Sequence, residues 1–253
     1  MERDDYTAGT PSWIDIGSSD LAVTHAFYTG LFGWERQDAG PPELTGGYGF
    51  YTKAGKAVAG YGPAQSPGVW WTMYVSVDDA AETARKVDAN GGSTMVAPMP
   101  VMEEGTMAVF ADPTGAAFSV WQPGKMKGAQ IVNEPGAFSW SELMTRDLPS
   151  AVKFYKAVFG WAQKNGPESP YKEFEVLGNV VAGAQAIGPE MPAQVPPHWN
   201  IYFGASDVDA AAARAAELGG TVRMPPFDVP DVGRIAVLGG PHHEGFSLFQ
   251  FSD

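Results

Sequence analysis

A 23-residue stretch occurs twice in this chain, 127 residues apart. Ser12-Trp13 leads through Asp20-Leu21 and Phe27-Tyr28 to Phe32-Gly33-Trp34. Ser139-Trp140 leads through Asp147-Leu148 and Phe154-Tyr155 to Phe159-Gly160-Trp161. Nine of the 23 positions are identical. An internal repeat of this spacing dictates architecture before any local pattern does. A chain of 253 residues can hold one large domain or two of ordinary size, and the repeat selects two.

Each copy subdivides. In the first, Trp13 to Ile16 has strand composition, Asp20 can cap a helix, and Gly33 falls where a helix end wants a positive φ. In the second copy Leu148, Val152, Tyr155 and Phe159 recur on one helical face, ending at Gly160. Strand-like runs follow at Tyr48 to Thr52 and Ala57 to Tyr61. A further unit then repeats the plan: strand Trp70 to Val77, helix Ala80 to Ala89 behind Asp78-Asp79, and strands at Thr94 to Val96, Thr106 to Ala111 and Ala117 to Trp121. Asp112-Pro113-Thr114-Gly115 supplies a turn. With the offset now 128, Trp199 to Ala205, Asp207 to Leu218, Ile235 to Leu238 and Gly245 to Phe249 answer in the second copy. The chain thus reads as four units of strand, helix and three strands. Pro63 to Pro67 and Gly188 to Pro197 join units within the copies.

Composition narrows the function classes. A hydrophobic fraction of 44% with 12% aromatics supports packed cores. The formal charge of −13 and the lack of a basic cluster argue against nucleic acid and against anionic membranes. No apolar run is long enough to span a bilayer, and the charged Met1-Glu2-Arg3-Asp4-Asp5 start does not resemble a secretory signal. With no cysteine, disulfides, thiolate metal sites and cysteine nucleophiles are excluded. The simplest expectation is a cytoplasmic protein, monomeric or homodimeric.

The order of these elements resembles the vicinal oxygen chelate superfamily of glyoxalase I, extradiol dioxygenases and bleomycin-resistance-type binding proteins. The resemblance rests on paired βαβββ units, Asp-Leu…Phe-Tyr…Phe-Gly-Trp in the first unit, and Asp-Pro-x-Gly near the end of the second. It implies an α+β fold of two tandem domains, residues 10–123 and 136–251, joined by a linker over 124–135. Each domain's paired units would curl into a cupped, open barrel-like sheet with flanking helices. It also implies places for metal ligands. One, a histidine or glutamine, lies seven residues before the capping Asp; Trp13 and Trp140 stand there. A histidine early in the second unit corresponds to Trp70-Trp71 and to His198-Trp199. A glutamate on the last strand corresponds to Ser119 and Ser247, and a glutamate ending the first unit has no counterpart in Ala57 to Tyr61 or Val180 to Ala184. Indole N–H only donates and cannot ligate a cation. The expectation is therefore no metal and no cofactor.

Trp13, Trp71, Trp140 and Trp199, with Trp121 on the last strand of the first copy, are expected to wall the cups and hold an apolar, aromatic small molecule. Filling of the cups by these rings is the competing expectation. Ser119 and Ser247 are expected to satisfy indole N–H groups, and His198 to sit at a loop mouth. Asp15 and Glu142 share a strand face with Trp13 and Trp140 and are candidate acid/base residues. Tyr74 and Tyr202 are assigned to core packing beneath the helices. His25 is expected to be partly buried with one hydrogen bond. His242-His243-Glu244 has a metal-like composition, but adjacent residues on a turn diverge. The function expected is metal-independent ligand binding for drug sequestration or a natural-product pathway. The alternatives are a glyoxalase-like lyase, a cofactor-free tailoring enzyme using Asp15 or Glu142, and an interaction protein with filled cups.

Overall fold

A computed structural model describes residues 1–65, 68–166 and 168–251. The joining stretch expected over 63–67 therefore lies partly outside the described residues. The first copy contains β1 (Pro11–Ser18), α1 (Leu21–Phe32), β2 (Glu35–Asp38), the single turn α2 (Pro42–Thr45), β3 (Gly49–Lys53), β4 (Lys56–Pro63), β5 (Trp70–Ser76), α3 (Ala80–Ala89), β6 (Ser93–Val101), β7 (Gly105–Ala111) and β8 (Ala117–Pro123). The second contains β9 (Phe138–Thr145), α4 (Leu148–Phe159), β10 (Ala162–Gln163), β11 (Tyr171–Val176), β12 (Asn179–Ala186), β13 (His198–Gly204), α5 (Val208–Glu217), β14 (Thr221–Val229), β15 (Gly233–Gly239) and β16 (Gly245–Phe251).

The strands form two eight-stranded sheets of identical order, β2-β3-β4-β1-β5-β8-β7-β6 and β10-β11-β12-β9-β13-β16-β15-β14. Each sheet draws on one copy only, so the paired units that make a cup lie within one copy. The seam of each is the antiparallel pairing of the units' first strands, β1 with β5 and β9 with β13. Four of the helices start on an aspartate whose side chain accepts a backbone N–H three residues on: Asp20, Asp79, Asp147 and Asp207. Gly33 and Gly160 end their helices at φ of 68° and 72°, a conformation costly for any residue with a Cβ. Among the described residues, no helix is long and apolar enough to cross a membrane.

The repeated words of the sequence build the contact between the copies. α1 packs on the second sheet, where Phe27 and Tyr28 meet Phe246 and Phe32 meets Phe203. α4 packs on the first, where Phe154, Tyr155 and Phe159 surround Phe118. The hydrogen bonds are exchanged in the same way. Trp34 Nε1 donates to Gly136 O and Trp161 Nε1 to Gly9 O, both at 2.7 Å. Tyr28 OH donates to Glu244 Oε1 at 2.9 Å and Tyr155 OH to Asp112 Oδ2 at 3.0 Å. Both helices thus lie between the backs of the sheets. The most buried stripe of α4 is accordingly Ala151, Phe154, Tyr155 and Val158, rather than the Leu148–Val152–Tyr155–Phe159 face that periodicity picks out. Buried aromatic side chains with satisfied N–H and O–H groups contribute about 1.5–3 kcal/mol each, so this contact is a large part of the stability of both copies.

Candidate functional site: two aromatic cups with a central carboxylate

Strand register decides which side chains enter the cups. Residues directly opposite in an antiparallel pair project from the same face. In the first sheet Trp13 is opposite Tyr74, Asp15 opposite Thr72 and Ile16 opposite Trp71. In the second, Trp140 is opposite Tyr202, Glu142 opposite Asn200 and Leu143 opposite Trp199. Trp13, Asp15 and Tyr74 therefore share the cup face, as do Trp140, Glu142 and Tyr202.

Trp71 and Trp199 do not enter the cups, contrary to the expectation from sequence. Both are buried on the helix side, where their Nε1 atoms donate to Tyr28 OH and Tyr155 OH at 2.9 Å. Tyr74 and Tyr202, assigned to the core by sequence, are the residues that face the cups. Period-two alternation says which residues share a face. It cannot say which face is which when both carry aromatics.

At the centre of the first cup, Tyr48 OH and Tyr74 OH both donate to Asp15 Oδ2, at 3.1 and 2.9 Å, and Trp13 Nε1 donates to Tyr48 OH at 2.9 Å. Oδ1 accepts no hydrogen bond among the described residues, and Asp15 is half-buried. Desolvation pushes the Asp15 pKa up to about 6 against the lowering effect of the tyrosine hydroxyls. Burial and the adjacent carboxylate raise both tyrosines well above their ordinary range, so they remain donors.

The second cup repeats this plan with changed chemistry. Trp140 Nε1 donates to Tyr171 OH at 2.9 Å, and Tyr202 OH donates to Glu142 Oε2. Gln185 Nε2 occupies the other oxygen, Oε1, at 2.6 Å. Glu142 is buried, and desolvation raises its pKa to about 7. Asn200 Nδ2 donates to Ser247 Oγ at 2.8 Å. Gly60 and Gly183 make room for these arrangements. A Cβ there would lie 2.0 Å from Tyr48 OH and 1.8 Å from Tyr171 OH.

The remaining candidates fall as follows. The serines do not serve the indoles; tyrosine hydroxyls do. Ser119 lies beside Tyr74 across the β5–β8 pairing, and its buried hydroxyl has no hydrogen-bond partner among the described residues. Trp121 shares the Ser119 face of β8 and donates to Met126 O at 2.9 Å. His198 opens β13 on the cup parity, its Nδ1 2.8 Å from Pro196 O. His25 is buried, with Nδ1 2.8 Å from Tyr51 OH. His242-His243-Glu244 is a turn between β15 and β16. His243 holds a φ of 66° where Gly115 stands in the first copy, and Glu244 points inward to Tyr28.

Tyr48, Tyr171 and Gln185 were not singled out by the sequence. A signal was present: Tyr48 to Tyr171 and Gly60 to Gly183 share a third constant offset, 123 residues, hidden by insertions between strands.

A model of the Glyoxalase/Bleomycin resistance protein/Dioxygenase superfamily matches residues 10–120 and 137–248. The chain belongs to this superfamily. It is 39% identical to the anthracycline biosynthesis protein DnrV of Streptomyces peucetius, over 98% of this chain and 95% of that protein. It is 38% identical to the putative glyoxylase CFP32 of Mycobacterium tuberculosis, over 98% and 97%. Among solved structures it resembles the Mn(II)-bound glyoxalase of Novosphingobium aromaticivorans, with a TM-score of 0.68, 17% identity and coverage of 96% of this chain and 82% of that one. The 2,3-dioxygenase LapB of Pseudomonas sp. KL28 gives the same TM-score at 14% identity, over 98% and 94%. At these identities the structural likeness concerns the fold.

The residues of the cups do not fit the divalent ion found in such a glyoxalase. A metal site needs several converging oxygen or imidazole ligands. Each cup centre offers one carboxylate already engaged by phenol donors, and no group of three His, Asp or Glu side chains converges among the described residues.

Proposed function

We propose that this protein binds planar aromatic small molecules in its cups without a metal, as a component of a natural-product pathway. The observation that carries this reading is the cup centre itself: a desolvated carboxylate held by tyrosine hydroxyl donors beside a tryptophan bonded to a tyrosine, on a face whose ligand positions are taken by Trp13, Ser119, Trp140 and Ser247. Aromatic walls supply apolar area for a planar molecule, and the carboxylate orients its polar edge. The biosynthetic role follows the names of the Streptomyces relatives, which concern anthracyclines.

A second reading is favoured by one observation. Carboxyl groups with pKa values of about 6 and about 7 are suited to proton transfer near neutrality. On that reading Asp15 or Glu142 acts as general base or acid in a cofactor-free step, or in a glyoxalase-like rearrangement of the kind named for CFP32.

Tryptophan fluorescence titrated with planar hydroxyquinones tests the binding reading, since Trp13 and Trp140 adjoin the site. Saturable quenching is expected. Absence of quenching across a broad panel of planar aromatics overturns it and leaves the cups as filled structural elements.

A further inference from the structure

The two carboxylates occupy matching strand positions, yet their free valences differ. Among the described residues, Asp15 receives both of its hydrogen bonds on Oδ2 and none on Oδ1. Glu142 is one methylene longer and is capped on each oxygen, by Tyr202 and by Gln185. The cap has a definite origin in the sequence. Gln185 pairs with Met144, two beyond Glu142, and its counterpart, paired with Gly17 two beyond Asp15, is Gly62. No side chain at 62 can reach Asp15. Exposure follows the same division, with Asp15 half-buried and Glu142 buried. The polar positions around Glu142 are also consumed, because Asn200 bonds Ser247 where the first copy has Thr72 and an unbonded Ser119. The first cup keeps Phe50 packed on Trp13, and Trp70 exposed on the same face of β5 as Tyr74.

We propose that the cups are unequal: the first takes a planar aromatic ligand through a hydroxyl donated to Asp15 Oδ1, and the second, closed over Glu142 by Gln185, takes no such hydroxyl. This rests on the ligand-binding reading above and narrows it to one cup and one class of ligand, the planar phenol or hydroxyquinone. The hydroxyl suits the site because Oδ1 of the ionised carboxylate only accepts. The two phenols on Oδ2 also damp the carboxylate charge, so a neutral donor is matched without a counter-cation.

The test is calorimetric titration of the full chain with 1,2-dihydroxyanthraquinone and, separately, its dimethyl ether, which keeps the rings and loses the donors. One site is expected for the dihydroxy compound in the wild-type protein. Affinity is expected to fall by about tenfold or more for the ether, and again for the dihydroxy compound in Asp15→Asn, the usual loss for a hydrogen bond to a charged group. Gln185→Gly, which gives the second cup the residue of the first, is expected to create a second site. Equal binding of the ether, two equivalent sites in the wild type, unchanged affinity in Asp15→Asn, or a single site in Gln185→Gly each overturn the proposal. If both compounds bind alike, ligand binding stands and the assigned role of Asp15 falls. If neither binds, the binding reading falls with it. The wild-type comparison of phenol and ether needs no variant to fold.

Discussion

Each sheet has a helix-side face and a cup-side face, and the two have diverged to different extents between the copies. On the helix side the copies are close to interchangeable: Tyr28 and Tyr155, like Trp34 and Trp161, make the same bonds to the opposite copy, and Trp71 and Trp199 make the same bond within their own. On the cup side Asp15 is replaced by Glu142, Gly62 by Gln185 and Thr72 by Asn200. The lesson is that the duplicated motif records the contact of one copy with the other. That contact is self-consistent only if both copies keep it. A cup takes no part in that contact and is free to change.

One case shows the helix side being maintained through a sequence change. Asp112 begins its turn and Ala116 ends it; in the second copy Gly240 begins the turn and Glu244 ends it. A Cβ on Gly240 would lie 2.0 Å from Glu244 Oε1, so the glutamate reaches back into the space an aspartate would use. The carboxylate arrives from another position and meets the equivalent tyrosine hydroxyl, Tyr28 in place of Tyr155.

The comparison can be broken first at its strongest point. Trp161→Ala removes a fully packed ring and the bond to Gly9 O. It should cost about 3–5 kcal/mol in chemical denaturation; a loss like that of a surface change would contradict the reading of α4 as the joint between copies. Glu244→Ala leaves the Tyr28 hydroxyl and the His242 N–H without their acceptor and should cost about 1–3 kcal/mol. Adding Gly240→Asp rebuilds the first copy's arrangement and should restore most of it, as read by thermal unfolding.

The cup side should respond in the opposite direction. Asp15 and Glu142 hold their protons more tightly folded than unfolded. Their contribution to stability is full below the ordinary carboxyl range and is lost as pH rises through about 6 for Asp15 and about 7 for Glu142. Neutral replacements should therefore raise stability above that window. About 2 kcal/mol is expected for Glu142→Gln, and about 1 for Asp15→Asn, which is partly solvated. Denaturation curves across pH 4 to 8 check the sign, and a loss of stability at high pH would mean that the carboxylates are structural. Smallest of all, Trp70→Ala should leave stability within about 0.5 kcal/mol, because the ring is 44% exposed, while weakening a bound planar ligand.

Much of the fold was legible because the repeat carried it: the Asp caps, the αL glycines and the four-unit plan follow from local chemistry, and each was written twice. The cups were legible only in part. Trp13, Asp15, Trp140 and Glu142 could be placed on one face by period two. The identity of the facing residues depended on the register of β1 with β5, which both Tyr74 and Trp71 satisfy in composition. Tyr48, just before β3, and Tyr171 and Gln185, on β11 and β12, lie where the spacing shifts by insertion, so their equivalence shows only once the sheet aligns Gly60 with Asp15 and Gly183 with Glu142. The motif's function as an interface was not legible, since periodicity marks a buried face without naming what buries it.

On the proposed reading, the cups exchanged a metal's donor set for aromatic walls and a proton-accepting carboxylate. Titrating the protein with 1,2-dihydroxyanthraquinone before and after exhaustive treatment with a chelator tests it most directly. The account predicts the same affinity and stoichiometry in both titrations. Binding that disappears with the chelator and returns with a stoichiometric divalent ion would contradict it.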